Sequence, residues 1–209
     1  RFLFLILPVA IYAAVSLSST INIGIRHFLP VYPFLFILGG MLLNCVLHSR
    51  RAKLPARWLV VLLLCWTTFE ALRVYPHYTS YMNQLAWKQP AWHYLSDSNV
   101  EWGDDVPALA AYLRARGETK IRAALAGGWM TLNHYGVTYI NLFSSPRKQL
   151  PETNYIAIGA SFLNGATVPA SLEESPNMPE EERQNFFASF RDRKPEAVFG
   201  NSIYLYRVK

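Results

Sequence analysis

The chain has 209 residues, 52% of them hydrophobic and 16% charged, with a formal net charge of +6. That length allows one or two domains. Part of the positive charge sits in one short stretch, 48–57 (HSRRAKLPAR), next to apolar sequence, which suits a membrane-topology signal and sets nucleic-acid binding aside. The two cysteines, Cys45 and Cys65, both lie in apolar runs, so the polar half needs no disulfide and carries no redox motif.

In chain order, the first 75 residues are mostly apolar and read as three spans, at about 2–18, 28–47 and 58–75. A spanning helix needs about 20 mainly apolar residues. The second run fits well, the first is near the short limit, and the third carries Glu70 and Arg73 near its end, where an interface tolerates them. Apolar residues fill whole turns and keep to no single helical face, which suits lipid better than a soluble core. The chain opens on Arg1 and not on methionine, so a fragment of a longer protein is expected. A signal peptide is the alternative for the first run, but no small-x-small cleavage pattern follows it cleanly.

The 48–57 connector holds four Lys/Arg residues, whereas the 19–27 connector holds only Arg26. Cytoplasmic loops carry the excess of basic residues. The helices are therefore expected to run in-to-out, out-to-in and in-to-out, which leaves everything beyond about residue 75 outside. Residues 76–95 form an aromatic linker with Tyr78, Tyr81, Trp87, Trp92 and Tyr94. Helical spacing of Tyr78, Tyr81, Met82 and Leu85 fits either a helix on the membrane surface or a packed linker helix of a soluble domain.

Residues 96–209 read as a soluble, extracytoplasmic α/β domain. Asp105 is placed to cap a helix with Pro107 in its first turn, an apolar face of Val106, Leu109, Ala110 and Leu113, and Gly117 as its stop. Strands are expected at 120–127, 137–143 and 154–163, with a short helix at 129–136 between the first two. A loop at 164–180 leads into an amphipathic helix around Phe186, Phe187 and Phe190. A terminal hairpin turns at Gly200-Asn201. Strands alternating with helices imply layered α/β architecture.

Chemistry is sparse. Asp97, Asn99, Glu101, Asp104 and Asp105 form an acidic box, and DSNVE spaces oxygens as a calcium loop would. The glycine is misplaced for an EF-hand and no closing glutamate follows, so the box reads as structural, with no metal and no cofactor expected. Ala126-Gly127-Gly128 could face an anion but is no dinucleotide fingerprint. The five histidines include no HExxH pair, and no nucleophile elbow is present.

Two stretches, NIGIRHFLPVYPFLFILGG and YPHYTSYMNQLA together with SDSNVEWGDDVPALAAYLRARG, resemble the C-terminal part of bacterial polytopic glycosyltransferases of family 39. These are akin to the dolichyl-phosphate-mannose–protein mannosyltransferases. The resemblance covers most of the chain and is most specific at the Arg-His-x-Leu-Pro loop and the acidic Trp-Gly box. Glu101 stands where an aspartate is usual, which keeps the charge, and Trp87-Lys88-Gln89 replaces a Gly-Gly.

The resemblance implies a multi-pass protein of the bacterial inner membrane that uses a polyprenyl-phosphate-linked sugar. Its catalytic acid would lie in an upstream transmembrane half, so no residue here inherits that role. It makes Arg26 and His27 candidates for the lipid phosphate, Arg26 through a bidentate fork. Alternatively Arg26 snorkels to any headgroup while His27 packs against Tyr32. A non-catalytic, membrane-anchored binding or sensor module is the competing function.

Overall fold

The computed structural model describes residues 2–18, 24–48, 54–86, 89–126, 129–144, 150–172 and 175–208, with the side chains of 24–27, Trp129 and Met130 outside that description. The chain divides into two compact units, Arg1–Tyr75 and Pro76–Lys209.

The first unit is helical. Helix α1 spans Leu3–Ser18 and contains Pro8. A 3-10 segment, Gly24–Val31, leads into α2, Tyr32–His48, and α3 spans Leu54–Val74. Pro30 lies in the 3-10 segment, and Pro33 falls in the first turn of α2, where a missing N–H has no intrahelical partner to lose. Pro55 plays the same part in α3, which therefore starts four residues earlier than the hydropathy pattern alone suggested.

Two stretches, Phe28–His48 and Leu54–Val74, are each 21 residues and apolar enough to cross a membrane; α1 is shorter. At 1.5 Å per residue such a helix is about 31 Å long, close to a bilayer's hydrocarbon core. No residue of α1, α2 or α3 is buried. Leu42 and Leu62 are 67% and 63% exposed, so the apolar side chains face outward. The hydroxyls turn the other way. Ser18 donates to the Val15 carbonyl at 2.8 Å, and Thr67 and Thr68 to that of Leu64 at 3.0 and 2.8 Å. Such back-bonding hides a polar group inside its own helix.

The second unit is built on a five-stranded sheet of order β2-β1-β3-β5-β4. Its strands are β1 (Lys120–Ala124), β2 (Thr138–Asn141), β3 (Tyr155–Gly159), β4 (Ala197–Phe199) and β5 (Ile203–Arg207). Strand β1 runs parallel to β2 and β3, whereas β5 is antiparallel to β3 and β4. Alternate residues serve two cores. Ile156, Ile158, Tyr204 and Tyr206 join Leu163, Val168 and Phe187 on one face. Tyr155, Ala157, Ile203 and Leu205 join α5 (Val106–Arg114), the helix that follows the short α4 (Ala91–Tyr94), on the other, through Val106, Leu109, Ala110 and Leu113. With both faces covered, all five residues of β3 are buried, and the strand reads as an unbroken apolar run.

Three local expectations are corrected. The 154–163 run is a strand only to Gly159; Ala160–Asn164 is a helix, closed by Gly165 in the left-handed region. The helix expected around Phe186 is two short pieces, Glu180–Asn185 and Ala188–Arg191, which lets Phe187 reach the core. Residues 76–86 form no helix. They make isolated turns such as Tyr81 N–H to Tyr78 C=O (3.2 Å) and Ala86 N–H to Asn83 C=O (3.0 Å), and among the linker's described residues Ala91–Tyr94 forms a helical turn. The cause is tertiary: His77 and Ser80 are held by residues far along the chain. The terminal hairpin forms as expected.

Candidate functional site

The acidic box is folded tightly but does not converge. Asp97 adopts φ +53°, a conformation that aspartate tolerates better than most residues, and Asp97–Asn99 is a single 3-10 turn. The Asp97 carbonyl accepts the N–H groups of Val100 (3.1 Å) and Glu101 (3.3 Å), and the Asn99 side chain donates to the Ser96 carbonyl at 3.2 Å. Asp97 and Asp104 are exposed, whereas Glu101 and Asp105 are buried. Among the described residues no group of three or more His, Cys, Asp or Glu side chains is placed to hold a metal ion.

Asp105 occupies the N-cap position of α5 but makes no capping bond, which corrects the sequence expectation. Two features explain it. Its backbone is in the right-handed helical region and not the extended one typical of caps, and Pro107 removes one N–H a cap would engage. The carboxylate turns instead to a polar cradle. His77 Nδ1 lies against Oδ1, and the Ser202 hydroxyl against Oδ2, with Ser80 Oγ 3.5 Å from the same oxygen. A carboxylate can only accept, so Nδ1 carries the imidazole proton.

Ser80 is locked in turn. Its hydroxyl accepts the Asn201 N–H at 3.0 Å, and its carbonyl accepts the Asn201 side chain at 2.9 Å. Gly200, at φ +53°, leaves the room: any Cβ there would strike the Asp105 carboxylate. His77, Ser80, Gly200 and Ser202 were not singled out from sequence as partners of the box. They lie 25 to 97 positions from Asp105, and the only local hint was the Gly200-Asn201 turn.

Glu101 is the opposite case. The strand order places β1 between β2 and β3, so the chain leaves β1 and β3 toward opposite sides of the sheet. The crevice beyond the carboxyl ends of two such strands is where doubly wound folds bind ligands. Glu101 fills that place from within the chain. Its Oε1 accepts the Ala126 N–H, just past β1, at 2.7 Å. Ser161, just past β3, faces the same carboxyl through its hydroxyl and N–H. A Cβ at Gly159 would collide with it.

Oε2 is buried without a hydrogen-bond partner. Burial dominates and raises the Glu101 pKa to about 8; the Ala126 and Ser161 bonds pull it down and the Asp104 charge adds to the rise. The expectation that glutamate here simply keeps the charge of an aspartate is thereby corrected: near neutrality the group is mostly protonated. Tyr139, beside it, is also raised, to about 12, chiefly by burial and further by Glu101.

Arg26 and His27 lie in the 3-10 segment directly before the Phe28–His48 stretch, and their side chains fall outside the described residues. Gly127 and Gly128 of the glycine pair are likewise outside them. No known protein family, curated protein or solved structure matches the chain.

Proposed function

We propose that the chain is the C-terminal portion of an integral-membrane glycosyltransferase that moves a sugar from a polyprenyl-phosphate donor to an extracytoplasmic acceptor. In this reading α1, α2 and α3 cross a bacterial inner membrane. The basic 48–57 loop is cytoplasmic, residues 76–209 stand outside, and the catalytic group belongs to an upstream half. The observation that carries it is the position of Arg26 and His27, immediately before a 21-residue apolar stretch with no Asp, Glu, Lys or Arg in it. That is the depth of a lipid phosphate, and a guanidinium can grip phosphate with two parallel bonds.

The test is transfer rate against donor concentration for Arg26→Lys and Arg26→Ala in the full-length enzyme at equal membrane abundance. Charge-assisted hydrogen bonds are worth about 1.5–3 kcal/mol, so roughly ten- to hundred-fold in donor affinity is expected to be lost in Ala and a part of it in Lys. Lysine matching arginine across the curve would leave the loop as a helix anchor only. The competing reading, a membrane-anchored binding or sensor module, is favoured by one observation: the two buried carboxyls of the box are both spent on holding the fold.

A further inference from the structure

We infer that the 76–86 loop, together with Trp102, is a membrane-contacting surface of the sheet unit, and that its partner is the headgroup layer of a phospholipid bilayer. This rests on the membrane-crossing part of the reading above and not on the transferase part.

The loop has two sides, and the structure has built them differently. The inward side holds the polar anchors: His77 and Ser80 face the Asp105 carboxylate and Ser80 is also tied to Asn201, while Met82 packs against the core. Ser80 is 1% exposed. The outward side shows Tyr78 at 54%, Tyr81 at 37% and Leu85 at 91% exposure, beside the exposed but uncharged Thr79, Asn83 and Gln84. Three residues before Asp105, Trp102 is 57% exposed. Its indole N–H is given to the Ser98 carbonyl at 2.6 Å.

Residues 75–86 contain no Asp, Glu, Lys or Arg. An uncharged loop showing tyrosines and a leucine to the outside fits a boundary where an apolar ring meets water at one polar tip.

Covalent continuity selects the bilayer over a protein partner. Only three residue steps separate Val74, the end of α3, from His77. They reach at most about 10 Å, which keeps the start of the loop within or beside the headgroup layer of any membrane α3 crosses. Asp105 is then a positioning residue: its cradle fixes which side of the loop turns outward.

The experiment uses the full chain with Cys45 and Cys65 replaced by alanine, in nanodiscs of phosphatidylcholine and phosphatidylglycerol. Single cysteines replace Tyr78, Tyr81, Leu85 or Trp102, and for comparison Thr119 or Glu181, both exposed elsewhere on the sheet unit, or Leu62 in α3. Each carries a small fluorophore, quenched in turn by headgroup-labelled nitroxide lipid, acyl-chain nitroxide lipid and aqueous iodide.

Labels at 78, 81, 85 and 102 are expected to be quenched several-fold more by the headgroup nitroxide than by iodide, and those at 119 and 181 the reverse. If the four follow 119 and 181, or are shielded from every quencher, the surface does not meet lipid and the inference is overturned. The Leu62 label separates the two levels of failure: without acyl-chain quenching there, the membrane-crossing reading itself fails. Ser202→Ala, milder than a change at Asp105, is expected to shift the Tyr81 label toward iodide. An unchanged depth would remove the cradle's positioning role.

Discussion

The two units solve opposite problems with the same amino acids. In Arg1–Tyr75 the leucines point outward and the serine and threonine hydroxyls are tucked against their own helices. In Pro76–Lys209 most leucines point inward, Leu85 being the clear exception, and the two buried carboxyls of the acidic box meet burial in two ways. Asp105 and Glu101 show both answers four residues apart. One is ringed by His77, Ser80 and Ser202. The other is raised to about 8 by burial that its hydrogen bonds only partly offset. The lesson is that leucines facing outward mark helices apolar enough to cross a membrane, and that two buried carboxyls so close in sequence can be met by quite different partners.

The sharpest way to break this comparison is Asp105→Ala. Removing it takes the acceptor from the His77 N–H and from the buried Ser202 hydroxyl, and each buried donor left unsatisfied costs about 1–3 kcal/mol. Denaturation of the full chain in detergent, read by amide hydrogen exchange of β1 and β3, measures it. A loss no larger than that of an ordinary cap would show the cradle to be loose.

Next comes a matched pair of leucines. Leu109→Ala, from a fully buried position, should destabilise the sheet unit by about 2–5 kcal/mol. Leu62→Ala, at a position 63% exposed, should leave that same exchange pattern unchanged. Equal effects would erase the distinction between the units.

The Glu101 proton sharpens the comparison further. Folded Glu101 holds its proton up to about pH 8, whereas its ordinary value is 4.5. Between those values the folded state binds a proton that the unfolded chain releases. Stability is therefore highest below pH 4.5, falls as pH rises toward 8, and levels off above it, by at most about 1.4 kcal/mol per pH unit for one group. Glu101→Gln should remove that slope, and a titration of stability with pH in both proteins checks it. The smallest effect is expected for Ser202→Ala, about 1 kcal/mol, the usual net worth of a single hydrogen bond, because Asp105 keeps its other donors.

Much of the fold was legible where the pattern is local. Val106, Leu109, Ala110 and Leu113 recur at helical spacing and all four are buried in α5; the Gly200-Asn201 turn does join two antiparallel strands. What was hidden depends on distant partners. Asp105 looked like a cap because its neighbours are those of a cap, but its fate is decided by residues 77, 80 and 202. Residues 76–86 had helical spacing, yet the same distant bonds override it. The apolar run through 163 hid a change from strand to helix at Gly159, since buried strand and buried helix share a composition.

The central claim, that the first unit crosses a membrane and the second stands outside it, has one direct test. Single cysteines are placed at Ser49, in the basic connector, and at Thr119 or Glu181, both exposed on the sheet unit, with Cys45 and Cys65 replaced. Intact cells with a permeable outer barrier are treated with a membrane-impermeant thiol reagent. The account predicts labelling at 119 and 181 and protection at 49 until the inner membrane is opened. Labelling at 49 with protection at 119 and 181 would contradict it.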